Sequence, residues 1–372
     1  MNIFKEDGTR EIDFDLQKSA IKLLKKQWSA HAGSIEAYPG NFKGRGIVMC
    51  AGGIKYFTCA WIAVKILRKL GCRLPVEIWY QANELSPACI SEIEKHNVRC
   101  VNFSDKKGSM GLYGWMLKPF AILNSSFKEV IFIDADNTCL QNPTSLFETG
   151  EYRATGALFW PDYWKTAADN PIWNILGLKY CDMHEQESGQ IVINKEKCWK
   201  PLNLCLYFNR QSNIYYRLLL GDKDTFRFAW LALSNDFHMI SKAPDTCGYI
   251  DKNNDFMGIT MLQYDQQGSP FFLHRNLIKW DVSNTDEFLW QKVKQFKTAS
   301  VNKTFVIGFS DKNGHHYMDF KGDYDCINFK SRFGNVEEIC LDHLNRIRKK
   351  KFYHDFLLSS YLQSKRIQLS QQ

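Results

Sequence analysis

"VIFIDADNTCLQNP", residues 130–143, decides how the rest of the chain is read. Four apolar residues, Val130 to Ile133, run without a polar break into Asp134 and Asp136, after which the chain turns polar and reaches Pro143. An uninterrupted apolar run of this kind predicts a strand covered on both faces, as in parallel sheets flanked by helices. Outward from it, "GIVMCAGG" from Gly46, "PVEIWYQ" from Pro75 and "VRCVNF" from Val98 read as further strands. Between them "YFTCAWIAVKILRKLG", "SPACISEIEKHN" and "GWMLKPFAILNSSF" read as helices. The alternation predicts an α/β fold with a mostly parallel sheet. Ligands of such sheets bind beyond the carboxyl ends of the strands, which is where the two aspartates stand.

Residues i and i+2 of a strand point to the same side, so Asp134 and Asp136 can converge on one point. Two carboxylates there repel unless a cation or a proton sits between them. Mn²⁺ and Mg²⁺ take oxygen ligands and bridge to phosphates, so a metal held against a diphosphate is one reading. The other is an aspartate turn followed by a capped helix at "NPTSLFE". His274 follows the apolar run Phe271 to Leu273 at another expected strand end, where it is either a third ligand for Mn²⁺ or a structural histidine. Lys279, five residues on, can meet a phosphate as a point charge.

Further along, Glu187 and Gln190 flank a glycine ahead of an expected strand in "HEQESGQIVINK". "GDKDTF" puts Asp222, Lys223 and Asp224 at the start of an expected helix. Carboxylates and amides suit the hydroxyls of a hexose, and one can stabilise an oxocarbenium-like centre. Alternatively Asp222 or Asp224 is a helix N-cap and Ser188-Gly189 a turn. Around Pro161-Asp162 a loop is expected, whose Trp160, Tyr163 and Trp164 either stack on a sugar or pack in the core. A long helical stretch is expected from about Lys197 to Leu220.

The 372 residues are 45% hydrophobic and 24% charged, which places the chain among globular proteins with a full core. No run of about 18 apolar residues and no apolar signal region is present, so a cytoplasmic protein without signal peptide or transmembrane segment is the expectation. Twelve cysteines without a CxxC pair suit reduced thiols better than disulfides or zinc. The net charge of +8 favours anionic partners, while the absence of a nucleic-acid motif argues against nucleic acid. Two basic amphipathic stretches, "DLQKSAIKLLKKQWSAH" and "LNRIRKKKFYHDFLLSSYLQSKR", either lie peripherally on an anionic membrane or pack on the protein.

"GIVMCAGG", "GWMLKPFAIL", "IFIDADN", "TGALFWPDYW", "ESGQIVINK" and "GDKDTF" together resemble the fungal MNN-type alpha-mannosyltransferases of glycosyltransferase family 71. "LHRNLIKW" is similar to the His and Lys end motif of the glycogenin-like family 8. The resemblance spans roughly Gly46 to Trp280, with the motifs in the family's order. It implies a GT-A fold that binds a sugar nucleotide with Mn²⁺ (or Mg²⁺) and transfers the sugar with retention. On that pattern Asp136 binds the metal, Asp134 the metal or the donor ribose, and His274 completes the site. Lys118 and Lys279 hold the donor phosphates or sugar, Lys223 joins the donor site, and the loop Ala51, Gly52, Gly53, Ile54 passes beneath the nucleobase. Glu187, Gln190, Asp222 and Asp224 are the catalytic candidates. The implied reaction moves a hexose, mannose from GDP-mannose first, to a glycan, lipid-linked or protein hydroxyl. A UDP-sugar donor carrying glucose, galactose or GlcNAc, or sugar-nucleotide binding without turnover, are the alternatives. The implied organisation is a helical N-terminal arm over 1–44, a GT-A catalytic domain over 45–285, and a C-terminal extension with a basic helix over 286–372.

Overall fold

The computed structural model describes residues 2–282, 287–310 and 314–370, with side chains to Leu362. Residues 311–313, the 285/286 boundary, and the side chains that end the basic C-terminal stretch lie outside the described residues. In chain order the strands are β1 (Asn2–Phe4), β2 (Thr9–Ile12), β3 (Arg45–Cys50), β4 (Val76–Tyr80), β5 (Val98–Asn102), β6 (Glu129–Ile133), β7 (Asn137–Cys139), β8 (Ala157–Thr166) and β9 (His184–Asn194). They continue as β10 (His238–Met239), β11 (Asp245–Ile250), β12 (Phe256–Tyr264), β13 (Pro270–His274), β14 (Lys292–Phe296), β15 (Lys303–Ser310), β16 (His315–Gly322) and β17 (Tyr324–Asn328).

The first sheet runs β1-β2-β8-β9-β6-β3-β4-β5, with β10 beside β8. Its β6-β3-β4-β5 portion is parallel throughout. Alternate residues explain why these strands lack polar alternation. Ile47, Met49, Ile131 and Ile133 enter one core cluster with Phe57 and Cys59 of the helix Gly53–Lys69. Val48, Val130 and Phe132 enter the other with Phe120 and Ala121 of the helix Leu117–Asn124. Both faces are therefore covered, and the mixed, mostly parallel sheet flanked by helices is the α/β architecture expected of a GT-A domain.

The second sheet runs β15-β16-β12-β11-β14-β17, and β13 joins it to β7. β6 ends at Ile133, and within a turn of three residues the chain crosses to β7, where Asn137 pairs opposite His274 of β13. Strands from both ends of the chain complete these sheets. β2 pairs with β8, while β14 pairs with β11 and β16 with β12. The N-terminal region thus begins with a strand pair before its helix, Lys18–Ser34.

Three expectations change. Residues around Pro161-Asp162 form strand β8 rather than a loop, with register shifts between Leu158 and Trp160 and between Pro161 and Lys165. The shifts leave room for a proline, which has no N–H for a regular ladder. Glu187 to Gln190 lie inside β9 instead of ahead of it. The expected long helix is broken at Gln211 into Trp199–Arg210 and Ser212–Leu218.

Among the described residues no helix is long and apolar enough to cross a membrane. The apolar face of Lys18–Ser34 is occupied by protein. Leu24 and Trp28 are buried in the second core cluster, Leu16 and Ile21 pack against it, and the Trp28 indole donates to the Ile175 carbonyl at 2.8 Å. Trp28→Ala should therefore lower unfolding free energy by about 3–5 kcal/mol, the cost of emptying a buried indole site. Denaturant titration checks this, and a loss under about 1 kcal/mol would mean that the helix is not docked.

Candidate active site

A cleft of about 1000 Å³ opens over the carboxyl ends of β3, β4 and β6, with the second sheet forming its opposite wall. Asp134 and Asp136 stand just beyond β6, and β9 runs antiparallel to β6 with Gln190 opposite Ile133. That register carries Glu187 to Gly189 past the end of β6, where the Asp134 N–H donates to the Gly189 carbonyl at 2.8 Å. His274, last residue of β13, comes down on the same point. A Cβ on Gly189 would lie 2.4 Å from His274 Nδ1, so only glycine admits the imidazole there.

The four groups converge. His274 Nε2 is 3.3 Å from Asp136 Oδ1 and 3.8 Å from Asp134 Oδ2, and its Nδ1 is 3.5 Å from Glu187 Oε1. One ligand atom each from Asp134, Glu187 and His274 lie within 4.8 Å of one another. Lys118 reaches up from the helix Leu117–Asn124 to Asp134 Oδ2 at 3.1 Å, Asp222 Oδ2 at 3.2 Å and Ser188 Oγ at 2.8 Å. Lys279 pairs with Asp136 and donates to the Asn276 carbonyl at 2.8 Å. Asp222 precedes the helix Lys223–Ala232, but its side chain makes no cap. It accepts from Ser188 Oγ at 3.1 Å instead.

This electrostatic environment is uneven. Burial acts to raise Asp136, yet His274 and Lys279 outweigh it and hold the carboxyl well below the usual range. Burial acts against a charged His274, but Asp136 and Glu187 overcome it and raise the imidazole to about 10. Glu187 is opposed by burial and lowered to about 2, chiefly by His274. Asp134 is raised by burial despite Lys118. Counting the connected groups, the carboxylates of Asp134, Asp136, Glu187 and Asp222 face the ammonium groups of Lys118 and Lys279. With a neutral imidazole two negative charges are left over, the charge of one divalent cation. Carboxylate oxygens plus an imidazole nitrogen form a donor set suited to Mn²⁺ or Mg²⁺.

Other sequence candidates fall elsewhere. Ala51 and Gly52 line the cleft, and Gly53 opens the following helix. Lys223 lines it too, held between Asp162 and Glu185, with Glu185 Oε2 at 2.6 Å. Gln190 and Asp224 do not reach the wall. Gln190 accepts from Asn137 Nδ2 at 2.6 Å and donates to Gln263. Asp224 is fully buried, paired with Arg227 at 2.7 Å and accepting from the Gln186 N–H at 2.9 Å. Tyr163 and Trp164 border the cleft but are buried in a core cluster with Met261, Met318 and Phe320, and Trp160 is core too, its indole donating to the Tyr264 carbonyl at 2.7 Å.

Sequence reasoning passed over several lining residues. Asp162, raised to about 6 by burial, lies in the stretch expected as a loop, and Glu84 lies between an expected strand and an expected helix. Ile307, His316, Tyr317 and Met318 come from β15 and β16, far along the chain. Arg275 was also missed. It pairs with Glu337 at 3.4 Å and stacks on Trp280 at 3.8 Å, fixing the backbone next to His274.

Comparison with known proteins then supplies relatives. The Mannosyl_trans3 family model, "Mannosyltransferase putative", matches residues 44–185 and 178–265, more than half of the chain. Alpha-1,2-mannosyltransferase MNN5 of Saccharomyces cerevisiae is 28% identical over 288 residues, covering 60% of this chain and 49% of the relative. Alpha-1,2-mannosyltransferase MNN21 of Candida albicans is 29% identical over 293 residues, covering 62% and 44%. The chain spans about half the length of these curated relatives. Among solved structures, the glycosyltransferase GlyE of Streptococcus pneumoniae is 14% identical over 54% of this chain and 46% of that one, with a TM-score of 0.37. The galactosyltransferase LgtC is 13% identical over 52% and 72%, with a TM-score of 0.35.

Lys118→Met should strand Asp134 and Asp222 without their shared counter-charge and cost about 3–5 kcal/mol. Adding Asp222→Asn should restore part of that loss. Denaturant unfolding of the single and double variants reads both effects, and strictly additive losses would show that the two residues are uncoupled.

Proposed function

The chain belongs to the Mannosyl_trans3 mannosyltransferase family, and on that premise we propose that it is a metal-dependent retaining glycosyltransferase. It transfers a hexose, mannose from GDP-mannose, to a hydroxyl of a glycan, lipid-linked sugar or protein. The observation that carries the reading is the convergence of Asp134, Asp136, Glu187 and His274 with two lysines in one cleft. Asp134, Asp136 and His274 would hold Mn²⁺ (or Mg²⁺), with Glu187 within reach of the same point. When bound, that ion supplies positive charge against the donor's diphosphate.

Transfer breaks the bond between the sugar C1 and the diphosphate oxygen while the acceptor hydroxyl oxygen bonds to C1, and the hydroxyl proton passes to the leaving diphosphate. Negative charge builds on the leaving phosphate. Lys118 and Lys279, both largely screened from water, are aimed at that charge and act more strongly than they would in open solvent. Ala51, Gly52 and Gly53 form the loop beneath the nucleoside, where the missing side chain of Gly52 admits the Glu84 carboxylate. Glu187 and Asp222 are suited to the hexose hydroxyls and to the positive charge that develops at C1. Gln190 and Asp224 act from behind them, by holding β9 in place through Asn137, Gln263 and the Gln186 backbone. Ile307, His316 and Tyr317 line the cleft on the second sheet and suit an acceptor sugar there, with Tyr163 and Trp164 packed in the core cluster that holds Met318.

Release of nucleoside diphosphate is measured for GDP-mannose and common UDP-sugars, with Mn²⁺ or with chelator. GDP-mannose should be consumed only with the metal. Asp136→Ala and His274→Ala should each lower turnover on the order of 10²–10³-fold, as loss of a group that stabilises transition-state charge does. Equal turnover in chelator contradicts metal dependence, preference for a UDP-sugar contradicts the donor, and tight donor binding without turnover points to a binding protein.

A further inference from the structure

We infer that Glu84 reads the base of the donor nucleotide and selects guanine over uracil; this rests on the sugar-nucleotide reading above and names its base-recognising residue. The place of the base follows from topology. From β3 the chain steps outward to β4 and β5 and then returns to β6 on the other side of β3, so the strand order reverses there and a ligand crevice opens. The groups suited to phosphate and metal, Lys118, Asp134, Asp136 and Lys279, cluster around the β6 end. A nucleoside extending from them along the cleft lies over the paired ends of β3 and β4, where Cys50 and Trp79 are in register. The wall there includes Ala51, Gly52, Gln81, Glu84 and the exposed Trp115, a ring available for stacking on a base.

Glu84 is the carboxylate of this wall, and the fold orients it. Its N–H donates to the Gln81 carbonyl at 2.9 Å, and its own carbonyl accepts from the Gly53 N–H at 3.1 Å. Oε2 accepts from the Gln81 N–H at 2.8 Å. A Cβ on Gly52 would lie 1.8 Å from that oxygen, so the absence of a side chain at Gly52 is what lets the carboxylate lie against the β3 loop. The side chain is exposed to the cleft. Among the described residues it has no basic group within ion-pair distance and no hydrogen bond to Oε1, and Oε2 keeps a second lone pair.

A carboxylate fixed in this way accepts hydrogen bonds and gives none. Guanine offers two neighbouring donors, N1–H and the 2-amino group, on one edge, which a carboxylate takes as a bidentate pair. Uracil offers a single N–H flanked by two carbonyl oxygens, so the second carboxylate oxygen would face a carbonyl. Discrimination comes from the match on one side and from repulsion on the other.

The test titrates GDP, inosine diphosphate, which lacks the 2-amino group, and UDP into the full chain with Mn²⁺ present, for the native protein and Glu84→Gln. The native protein should bind GDP tightest and UDP weakest. Glu84→Gln should weaken GDP by about 10–100-fold, the worth of a hydrogen bond to a charged group, and bring GDP and inosine diphosphate to similar affinity. Its glutamine oxygen can still accept from the Gln81 N–H, and its amide nitrogen no longer repels a uracil carbonyl, so a UDP affinity that holds or rises, with an unchanged thermal midpoint, shows that the loop has kept its shape. An unchanged ratio of GDP to inosine diphosphate affinity in Glu84→Gln, or equal native affinity for GDP and UDP, overturns the assignment while leaving the glycosyltransferase reading in place. Failure of the native protein to bind any of the three overturns the sugar-nucleotide reading and the assignment with it. Loss of all three nucleotides in the variant would show Glu84 to be only a loop clamp, and also overturns the assignment.

Discussion

An excess of buried negative charge governs this molecule. Four carboxylates, Asp134, Asp136, Glu187 and Asp222, meet at the end of one strand with two lysines among them. Such a cluster is costly in a folded protein unless further positive charge arrives. His274 answers part of that need as the structure stands, by being held toward its protonated form. Much of the architecture serves to keep these groups together. The short crossing from β6 to β7 sets Asn137 opposite His274, and the antiparallel register of β9 against β6 brings Glu187 alongside.

Around that centre lie ion pairs that do balance. Arg10 meets Glu185 at 2.6 Å with both side chains fully buried, and Glu185 in turn shares Lys223 with Asp162. Arg227 and Asp224 neutralise one another beneath the same strand. Removal of one member leaves an unpaired buried charge, so these pairs bind the N-terminal strands to β9 by penalty more than by attraction. From the other end of the chain Glu337 accepts from the Leu289 and Trp290 N–H groups and pairs with Arg275 beside His274. Segments outside the family match thereby support residues within the cleft.

The parallel part of the first sheet was legible because its strands are covered on both faces, and that coverage writes itself as unbroken apolar runs at β3 and β6. The acids were legible for a related reason: a charge at the end of such a run has no business in a core. What stayed hidden depends on contacts distant in sequence. Pro161 and Asp162 carry every local sign of a loop, yet β8 is held in place by partners on both sides, with shifts that accommodate the proline. Gly189 resembles a turn until the His274 ring is seen on its Cα. Asp222 and Asp224 are equivalent as letters. Only the helix phase separates one that meets Lys118 from one that meets Arg227. The wall supplied by β15 and β16 had no motif to announce it.

If the surplus charge holds a divalent cation shared with a nucleoside diphosphate, binding of the two must be coupled. Calorimetric titration of Mn²⁺ into the native protein, with and without GDP, tests it most directly, alongside Asp134→Asn and His274→Ala. One Mn²⁺ site is expected, whose affinity rises when GDP is present, with GDP affinity raised by Mn²⁺ by the same factor, as linkage requires. Both variants should lose the site and the coupling. Mn²⁺ binding that is indifferent to GDP, or that survives both substitutions unchanged, would contradict it.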